Sequence, residues 1–577
     1  MKFSRLSEYF EKLEKTSSRL ALIDILSELF KETGEKEVRK VTYLLQGRLT
    51  PFFVPIEIGM AEKNVASAVA NAYDSNKEGV LKLFSKLGDE GLAVEELAKK
   101  KNAKDSGISV DEVYETLEQI AKTQGTGTVE KRQILLTGLL QKMNVISAKH
   151  LVRIPLGDLR LGIGDPTVLD ALATSKLGDK SKRKLLEGAY NRTSDLGLIG
   201  ETLFAKGLEG VEKLEVRVGS PIRSELCERL PTPEKIIEKM GEVDTQYKYD
   251  GFRVQLHKNG DEIRMFSRNL EEMTHMFPEL IVAAKKQIKA DSVILDSEAL
   301  AYNPESEEFL PFQETTKRRR KHDIAEMAAK LPLKAFVFDI LYKDGKGLLD
   351  LPLSKRMEIL KQVLPEDDVL IRTKNQTINE PKTLGLLLED AISKGLEGLV
   401  VKKLESPYEA GARNFNWVKL KRHSAGELND TIDCVILGYI SGRGKRAAFG
   451  AGALLVGVYD KKNDEFVTVS KIGTGLTDDE WREIHKRADK ISLKHKPPRV
   501  NALSTPSVWI RPEIVIEVLA DEITRSPIHT AGKEGEEPGY ALRFPRLVSF
   551  RSSDKKAEDA TSVNELIEMY KQQGKNS

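Results

Sequence analysis

The segment Lys248-Tyr249-Asp250-Gly251-Phe252-Arg253 brings a primary amine and a carboxylate within two positions of each other. Side chains alternate along a strand with a period of two, so an extended segment would place Lys248 and Asp250 on one face. Taken alone, this pattern is typical of a solvated surface ion pair. A chemical interpretation therefore depends on the other charged pairs of the chain.

Three later segments carry charged residues at strand spacing. Asp296 and Glu298 are two positions apart on an apolar strand, and Glu397 opens another such strand. Lys419 and Lys421 alternate in the segment WVKLK. Carboxylates on separate strands suit a hard divalent cation, and paired lysines on one face suit a phosphate. Each pair alone is weak evidence, because edge strands often carry charges, but together they indicate a metal-assisted phosphoryl-transfer site.

The segment EGLVVK poses a geometric problem for such a site. Simple alternation puts Glu397 and Lys402 on opposite faces of a strand, because five positions separate them. Both residues can face one site only if a bulge, or the start of the strand, lies at Glu397.

The elements that must position these residues fall into three blocks. Residues 1 to about 215 repeat apolar residues at helical spacing, as in LALIDILSELFKE and VDEVYETLEQIAKT. The block to about 422 alternates strand-like and helical segments, and Asn259-Gly260 predicts a hairpin within an α+β domain with antiparallel sheets. The last block has short strands between turn residues, which predicts a small barrel or sandwich, and ends in a helix capped by Thr561 or Ser562.

Composition limits the class of protein more than it identifies it. The 577 residues carry 91 Lys and Arg against 89 Asp and Glu, so global charge does not indicate a nucleic-acid partner. Two cysteines, Cys227 and Cys434, exclude a disulfide framework or a cysteine-rich zinc module within one chain. No apolar run reaches membrane-spanning length, and no Walker phosphate loop occurs. We expect a soluble, cytoplasmic, multidomain protein with no membrane partner.

The segment KYDGFR resembles the nucleophile motif of the covalent nucleotidyltransferases, which include DNA ligases, RNA ligases and capping enzymes. The other motifs of that superfamily follow in order along the chain. They are FSRN at 266–269, ILDSEAL at 294–300, FVFDILY at 336–342, EGLVVK at 397–402, WVKLK at 417–421 and ALRFPRLVSFRSSDK at 541–555. An ordered set of this kind is far more specific than any single motif.

Segments outside these motifs resemble the replicative ATP-dependent DNA ligases of archaea and eukaryotes, and the overall organisation is most similar to the archaeal enzymes. Those segments are LLQGRLTPFF, LVRIPLGDLRLGIG, PFQETTKRRRKHD and KIGTGLTDDE. The resemblance implies an all-α DNA-binding domain over 1–217, an adenylation domain over 218–422, and an OB-fold β-barrel with a C-terminal helix over 423–577. It also implies a monomer.

The resemblance further implies an enzyme that seals nicks in duplex DNA with ATP during replication, repair and recombination. Lys248 would carry AMP covalently before the AMP passes to a DNA 5′-phosphate. Glu298 and Glu397 would bind Mg²⁺, with Mn²⁺ an alternative. The residues expected to bind the nucleotide are Gln246, Arg253, Arg268, Glu298, Phe338, Arg413, Lys419, Lys421 and Arg543. Those expected to orient the leaving pyrophosphate are Arg546, Arg551, Asp554 and Lys555.

Two of these assignments have alternatives. Gln246 stands where these ligases usually have glutamate, and an amide can both accept and donate a hydrogen bond. Strict use of ATP is therefore open, and GTP or ADP are alternative substrates. Phe338 would stack on adenine in the resemblance, but in FVFDILY it also fits plain strand core.

Candidate DNA contacts come from basic residues in two regions. The run at 317–321 includes Arg318, Arg319 and Arg320, and the helical block contributes Arg48, Arg153 and Arg160. The alternative for the run is a solvated charged face. The expected partner is nicked double-stranded DNA, and a sliding clamp stays open because residues 99–125 show no clear clamp-binding motif. Rival interpretations are a capping or RNA-ligating relative and a nick-binding protein without catalysis.

Overall fold

The computed structural model describes residues 1–577 apart from short gaps. These gaps are 304–307, 310–314, 316–317, 319–322, 394–395, 422–430, 442–450, 474–475, 521, 553–554 and 574–577. The chain forms two compact units, a helical unit of residues 1–190 and 194–214 and a strand-rich unit of residues 191–193 and 215–577. Within the described residues, every helix is too short or too polar to cross a membrane.

The helical unit, which is described throughout, contains twelve helices. They are Phe3–Glu14 (α1), Arg19–Glu32 (α2), Val38–Leu45 (α3), Glu62–Ala72 (α4), Lys77–Leu87 (α5), Glu90–Lys100 (α6), Val110–Lys122 (α7), Thr128–Leu140 (α8), Val145–Leu156 (α9), Asp165–Leu177 (α10), Arg183–Thr193 (α11) and Leu196–Glu212 (α12). Side-chain caps define several starts. Ser109 and Glu112 form a capping box on α7, and Asp89 accepts from the Leu92 amide at the start of α6. The apolar stripes of these helices share one buried core.

The strand-rich unit contains the remaining elements of the described chain. Its strands are Leu226–Arg229 (β1), Val243–Lys248 (β2), Phe252–Asn259 (β3), Glu262–Ser267 (β4), Ser292–Asn303 (β5), Glu308–Phe309 (β6), Leu333–Lys343 (β7), Lys346–Gly347 (β8), Leu370–Arg372 (β9), Gln376–Ile378 (β10), Gly398–Lys403 (β11), Arg413–Leu420 (β12), Ile432–Ser441 (β13), Ala451–Asp460 (β14), Glu465–Ile472 (β15), Ser492–Leu493 (β16), Val500–Asn501 (β17), Val508–Ile510 (β18), Val515–Leu519 (β19), Glu522–Ser526 (β20), Gly539–Arg543 (β21) and Arg546–Phe550 (β22). Its helices are Pro233–Met240 (α13), Pro278–Gln287 (α14), Ile324–Lys330 (α15), Leu353–Val363 (α16), Pro381–Ser393 (α17), Asp478–Asp489 (α18) and Val563–Gln573 (α19).

The central part of this unit holds two sheets of different order. One has the order β1-β12-β11-β2-β10, and the other has the order β4-β3-β5-β7-β8 with β6 and β9 beside it. The predicted hairpin at Asn259-Gly260 is confirmed, because β3 and β4 pair antiparallel up to Asn259 opposite Glu262. Most pairs are antiparallel as predicted, but β1 with β12 and β7 with β9 are parallel. The sheets are therefore mixed.

The C-terminal part is a strand-rich domain consistent with an OB-fold. Its main sheet runs β16-β18-β13-β14-β15-β17, with β19 bridging β13 and β22. Ser562, rather than Thr561, caps α19, because its hydroxyl accepts from the Glu565 amide at 3.3 Å. The Glu565 carboxylate in turn accepts from the Ser562 amide at 2.9 Å, which completes a capping box.

Candidate active site

A cavity of about 350 Å³ in the strand-rich unit collects most of the charged residues that the sequence singled out. Strand β2 ends at Lys248 and β3 begins at Phe252, and both of these residues line the cavity. Residues of the C-terminal β domain, including Asp433 and Arg551, line the same cavity. We call this cavity the pocket.

Lys248 lies at the end of β2, opposite Gly398 of β11. Its ammonium nitrogen donates to Glu397 Oε2, and Lys421 Nζ donates to the other Glu397 oxygen at 2.5 Å. Burial opposes the charge of Lys248, but the contact with Glu397 prevails and raises the pKa of the lysine above its ordinary value. The two lysines lower the pKa of Glu397 despite its burial. The structure therefore holds Lys248 as an ammonium.

The start of β11 resolves the geometric problem of EGLVVK. Glu397 precedes the first strand residue, Gly398, whose φ of 143° departs from regular strand geometry. A Cβ at Gly398 would lie 2.2 Å from the Leu420 carbonyl oxygen, so only glycine fits there. Glu397 and Lys402 both line the pocket as a result. Of the two arrangements that the sequence left open, a bulge or a strand start, the structure shows the strand start.

Two further carboxylates, Asp250 and Glu298, line the pocket beside Lys248. Glu298 lies on β5 opposite Arg253, and one of its oxygens accepts from the Gly251 amide at 3.1 Å. Burial raises the pKa of Glu298 to about 7, and burial also raises the pKa of Asp250. Both carboxylates are therefore short of compensating positive charge, which is the condition that a bound cation would relieve.

The basic residues on β12 and nearby form a second wall of the pocket. Arg413, Lys419 and Lys421 line it from the strand and its end, and Arg268 lines it from the segment after β4. Arg413 forms an ion pair with Glu565 of α19, whose carboxylate also lies 3.8 Å from Lys419 Nζ. The wall thus presents four cations, two of which are close to one carboxylate of the C-terminal helix.

An aromatic and guanidinium cluster closes another side of the pocket. Phe338 is only partly buried and lies edge-on to Trp417, with ring centres 5.9 Å apart. Arg253 pairs bidentately with Asp296, at 3.0 and 2.6 Å, and its guanidinium carbon lies 5.2 Å from the Phe338 ring centre. Gln246 also lines the pocket. The exposure of Phe338 in the pocket favours a stacking surface over plain strand core.

Family models match the chain in three consecutive parts. "DNA ligase N terminus" matches residues 2–173, "ATP dependent DNA ligase domain" matches 224–421, and "ATP dependent DNA ligase C terminal region" matches 447–555. A relative from Dictyoglomus turgidum named "Probable DNA ligase" is 46% identical over 575 residues, covering 100% of this chain and 98% of its own. The chain belongs to the ATP-dependent DNA ligase family. It is an enzyme of that family, and it consists of helical, adenylation and OB-fold regions.

Archaeal relatives of this ligase extend over the same length. "DNA ligase 2" of Thermofilum pendens is 41% identical and covers 99% of this chain and 98% of its own. "DNA ligase" of Sulfolobus acidocaldarius is 38% identical with the same coverage. The similarity to archaeal ligases that the sequence suggested is therefore confirmed along the whole chain.

The C-terminal motif of the ligase divides between the pocket and the surface. Arg551 Nε donates to Asp433 Oδ1 at 2.6 Å, Lys555 pairs with the same carboxylate, and both lysine and arginine line the pocket. Burial lowers the pKa of Lys555 to about 8. Asp554 lies outside the described residues.

Two other residues of the C-terminal motif lie outside the pocket. Arg543 is exposed, with its Nε 3.5 Å from Glu522, and Arg546 is exposed on β22. Neither is among the residues that line the pocket. The predicted contacts of Arg543 with the nucleotide and of Arg546 with the pyrophosphate therefore remain predictions.

Two of the predicted DNA contacts are wrong for this structure. Arg153 is buried between Asp89, at 2.5 Å, and Glu14, at 3.0 Å. Arg318 is buried and pairs with Glu279 at 2.6 Å. A buried, neutralised guanidinium presents no charge to a phosphate, so both arginines hold their folds together.

The other predicted DNA contacts remain predictions. Arg48 stacks on Phe52, with its guanidinium carbon 3.7 Å from the ring centre. Arg160 has a positive φ of 58° and lies 3.1 Å from Asp158 and 3.4 Å from Asp89. Arg319 and Arg320 lie outside the described residues.

The sequence analysis did not identify several of the residues that line the pocket. Asp433, Glu565 and Trp417 line the pocket, and the buried Trp417 indole nitrogen finds no hydrogen-bond partner in the described part of the chain. The signal that would reveal Glu565 is its place three residues after Ser562, but that spacing also fits an ordinary capping box. For Asp433 no local signal exists, since its partners Arg551 and Lys555 are more than a hundred residues away.

Glu11, Glu14 and His150 form a second cluster that offers three metal-type ligands within 4.8 Å of one another. Lys149 Nζ already occupies its centre, 2.7 Å from Glu11 and 2.8 Å from Glu14. An ammonium in that position neutralises the carboxylates that a cation would need. The cluster is therefore an ion-pair network of the helical unit.

Proposed function

We propose that Lys248 is the residue of this ligase that becomes joined to AMP. Its nitrogen would attack the α-phosphate of ATP, form a phosphoramidate and release pyrophosphate. The AMP would pass to the 5′-phosphate at a nick in duplex DNA, and the adjacent 3′-hydroxyl would displace it and seal the strand. The observation that carries this assignment is the amine of Lys248 in the pocket, facing Glu397 and flanked by Lys419 and Lys421.

The protonation state of Lys248 sets the first barrier of this reaction. An ammonium has no lone pair, so the proton must leave before the nitrogen attacks. Removing the proton from an unperturbed lysine at neutral pH costs about 4–5 kcal/mol of free energy, and the ion pair with Glu397 increases that cost. We infer that substrate binding must draw Glu397 away from Lys248 before the bond to phosphorus forms.

Glu298 and Glu397 would hold Mg²⁺, or Mn²⁺ in its place. The donor set fits, because both carboxylates line the pocket, from β5 and from the residue before β11, and Glu298 has an elevated pKa of about 7 that a cation would lower. When bound by Glu298 and Glu397, a divalent cation would supply charge stabilisation to phosphoryl oxygens.

The remaining residues of the pocket divide between base and phosphates. Phe338 would stack on the base, and Arg253, held by Asp296, would contact the ribose. Lys419, Lys421, Arg268 and Arg413 would bind phosphate oxygens as charged donors. Arg551 and Lys555 would orient the leaving pyrophosphate from the C-terminal β domain.

The helical unit would bind the nicked duplex through Arg48 and Arg160. The two segments that carry these residues meet in the fold, because a Cβ at Gly47 would lie 3.4 Å from the Leu159 side chain and Gln46 Nε2 donates to Asp165 at 3.1 Å. Contacts to the phosphate backbone carry no sequence information, which suits an enzyme that must seal any nick. We propose that the enzyme acts as a cytoplasmic monomer with domain limits near 217 and 422. A direct pull-down with a sliding clamp would decide that partnership.

The test is a labelled-nucleotide chase with the full-length protein. The protein would be incubated with α-labelled ATP and Mg²⁺, freed of nucleotide and mixed with nicked duplex DNA, with Lys248→Ala as control. We expect label on the wild type only, and its loss as the nick is sealed. Label that persists with nicked DNA but leaves with nicked RNA would favour the RNA-ligating rival. Absence of label would favour a nick-binding protein and contradict the assignment.

A further inference from the structure

The side chain of Gln246 lines the pocket and is almost completely buried. Asp244, Gln246 and Lys248 share one face of β2, because they are two positions apart. Gln246 lies opposite Val400 of β11 and is 2% exposed, and it lines the same cavity as Lys248. A carboxamide in such a place presents either an acceptor or a donor to a ligand, and its orientation decides which.

The orientation is fixed by hydrogen bonds on the side away from Lys248. Gln246 Nε2 donates to Asp244 Oδ2 at 2.9 Å, and Asn375 Nδ2 donates to the same oxygen at 3.1 Å. The Asn375 amide is itself oriented, because the Thr373 hydroxyl lies 3.2 Å from its Oδ1 and donates to it. This chain of bonds leaves each amide nitrogen directed at one carboxylate.

Asp244 imposes this arrangement because an ionised carboxylate only accepts hydrogen bonds. Burial raises the pKa of Asp244, while Lys402, opposite it on β11, and the two amide donors favour the ionised form. With the nitrogen of Gln246 committed to Asp244, the amide oxygen remains for the pocket. The ambiguity of an amide at this position is thereby removed.

We propose that Asp244, supported by Asn375, is a positioning residue that fixes Gln246 as an acceptor and so selects purines with a 6-amino group. This inference rests on the proposed nucleotide site. Adenine carries a donor at position 6, whereas guanine and hypoxanthine carry an acceptor there. An oxygen facing the amide oxygen of Gln246 would leave two acceptors buried together, so ATP is used and GTP and ITP are rejected. Gln246 thus replaces the family's usual glutamate without loosening the choice of base.

The test measures covalent labelling of the full-length protein by ATP, GTP and ITP, expressed as the ratio of kcat/KM values. ITP lacks the 2-amino group of GTP and isolates the effect of position 6. The wild type should favour ATP over both by about 10- to 100-fold. Asp244→Asn lets the amides invert, and it should reduce that ratio about tenfold or more, chiefly by raising KM for ATP.

Two further variants keep the test decisive. Asp390→Asn changes a carboxylate that accepts from Tyr247 on the other face of β2, and it should leave the ratio unchanged. Asn375→Ala removes an exposed side chain and should shift the ratio in the same direction as Asp244→Asn by a smaller factor. This variant decides the matter if Asp244→Asn fails to fold.

The outcomes separate this inference from the proposed function. A wild type that labels equally well with ATP and ITP, or a folded Asp244→Asn with an unchanged ratio, would overturn the inference while the function stands. A wild type that labels with none of the three nucleotides would overturn the proposed function itself.

Discussion

Two lysines of this chain, Lys149 and Lys248, each pair with glutamates, but their surroundings differ. Lys149 lies in the helical unit between Glu11 and Glu14, with 5% of its side chain exposed. It belongs to a closed network with Arg153 and Asp89 in which the charges neutralise one another. Lys248 pairs with Glu397 on the wall of a cavity, with 25% of its side chain exposed.

The comparison shows that pairing alone does not distinguish a structural ion pair from a reactive one. In both places the glutamates raise the pKa of the lysine against the effect of burial. The difference is access, because a ligand can enter the pocket and exchange partners with Glu397, whereas the side chains of Lys149 and Arg153 are only 5% and 1% exposed. We therefore expect substitutions in the two networks to have opposite consequences.

The largest effect should come from Lys248→Ala. Loss of the nucleophile should abolish covalent labelling and sealing, a decrease of about a thousandfold or more, because no other amine occupies its position at the end of β2. The free energy of unfolding should change by less than about 1 kcal/mol, since Glu397 keeps Lys421 as a partner. Labelling assays and urea denaturation of the same preparation check both parts. Full activity in this variant would contradict the assignment.

Arg153→Met should produce the opposite pattern. It leaves the buried Asp89 and the partly buried Glu14 without their main partner, so the helical unit should lose about 3–5 kcal/mol of stability. Covalent labelling, measured below the unfolding temperature, should be unaffected. Lys122→Met is the control, because Lys122 pairs with Glu118 on the surface and should change stability by less than about 1 kcal/mol. A variant that keeps its stability but loses DNA affinity would restore the original prediction for Arg153.

The Glu225→Gln variant tests whether a buried carboxyl group next to the pocket is protonated. Glu225 is fully buried, and burial raises its pKa to about 8 from an ordinary value of 4.5. The folded state therefore holds a proton that the unfolded chain releases, so Glu225 lowers stability progressively as pH rises from about 4.5 to about 8. In the glutamine variant, the pH-dependent decrease in the free energy of unfolding between about pH 4.5 and 8 should be smaller by about 3–5 kcal/mol. Urea denaturation of both proteins at several pH values measures it, and parallel pH curves would contradict the protonated carboxyl.

The smallest effect should come from Glu565→Gln. Its carboxylate pairs with Arg413 and lies 3.8 Å from Lys419, two cations of the phosphate wall. Neutralising it should free both for the nucleotide and lower KM for ATP by about two- to tenfold in the labelling assay. Glu568→Gln, on the same helix and paired with Lys571 at the surface, should leave KM unchanged. An increase in KM for Glu565→Gln would show that the carboxylate assists binding.

The sequence was informative wherever a residue acts through its neighbours along the chain. The order of helical, mixed and β regions and the hairpin at Asn259-Gly260 followed from local spacing, and the same kind of spacing limited Glu397 to a bulge or a strand start. Pairings across long separations did not follow. Arg153 looked like a surface cation because its partners Glu14 and Asp89 are 139 and 64 residues away.

The orientation of Gln246 was hidden for the same reason. Its neighbour Asp244 is visible in the sequence, but Asn375 is 131 residues from Asp244 and brings the second hydrogen bond only in the folded sheet. The sequence does not show burial either, because nothing in it distinguishes a lysine in a closed ion-pair network from a lysine that lines a pocket. Charge, access and partner must be known together before chemistry can be assigned.

Peptide mapping of the labelled protein is the most direct test of this account. The wild-type protein would be labelled with α-labelled ATP and Mg²⁺, digested, and the modified residue located by mass spectrometry. We predict a single AMP on Lys248, with Lys149 unmodified. AMP on Lys419, Lys421 or any residue other than Lys248 would contradict the claim that the pocket-facing amine at the end of β2 is the nucleophile.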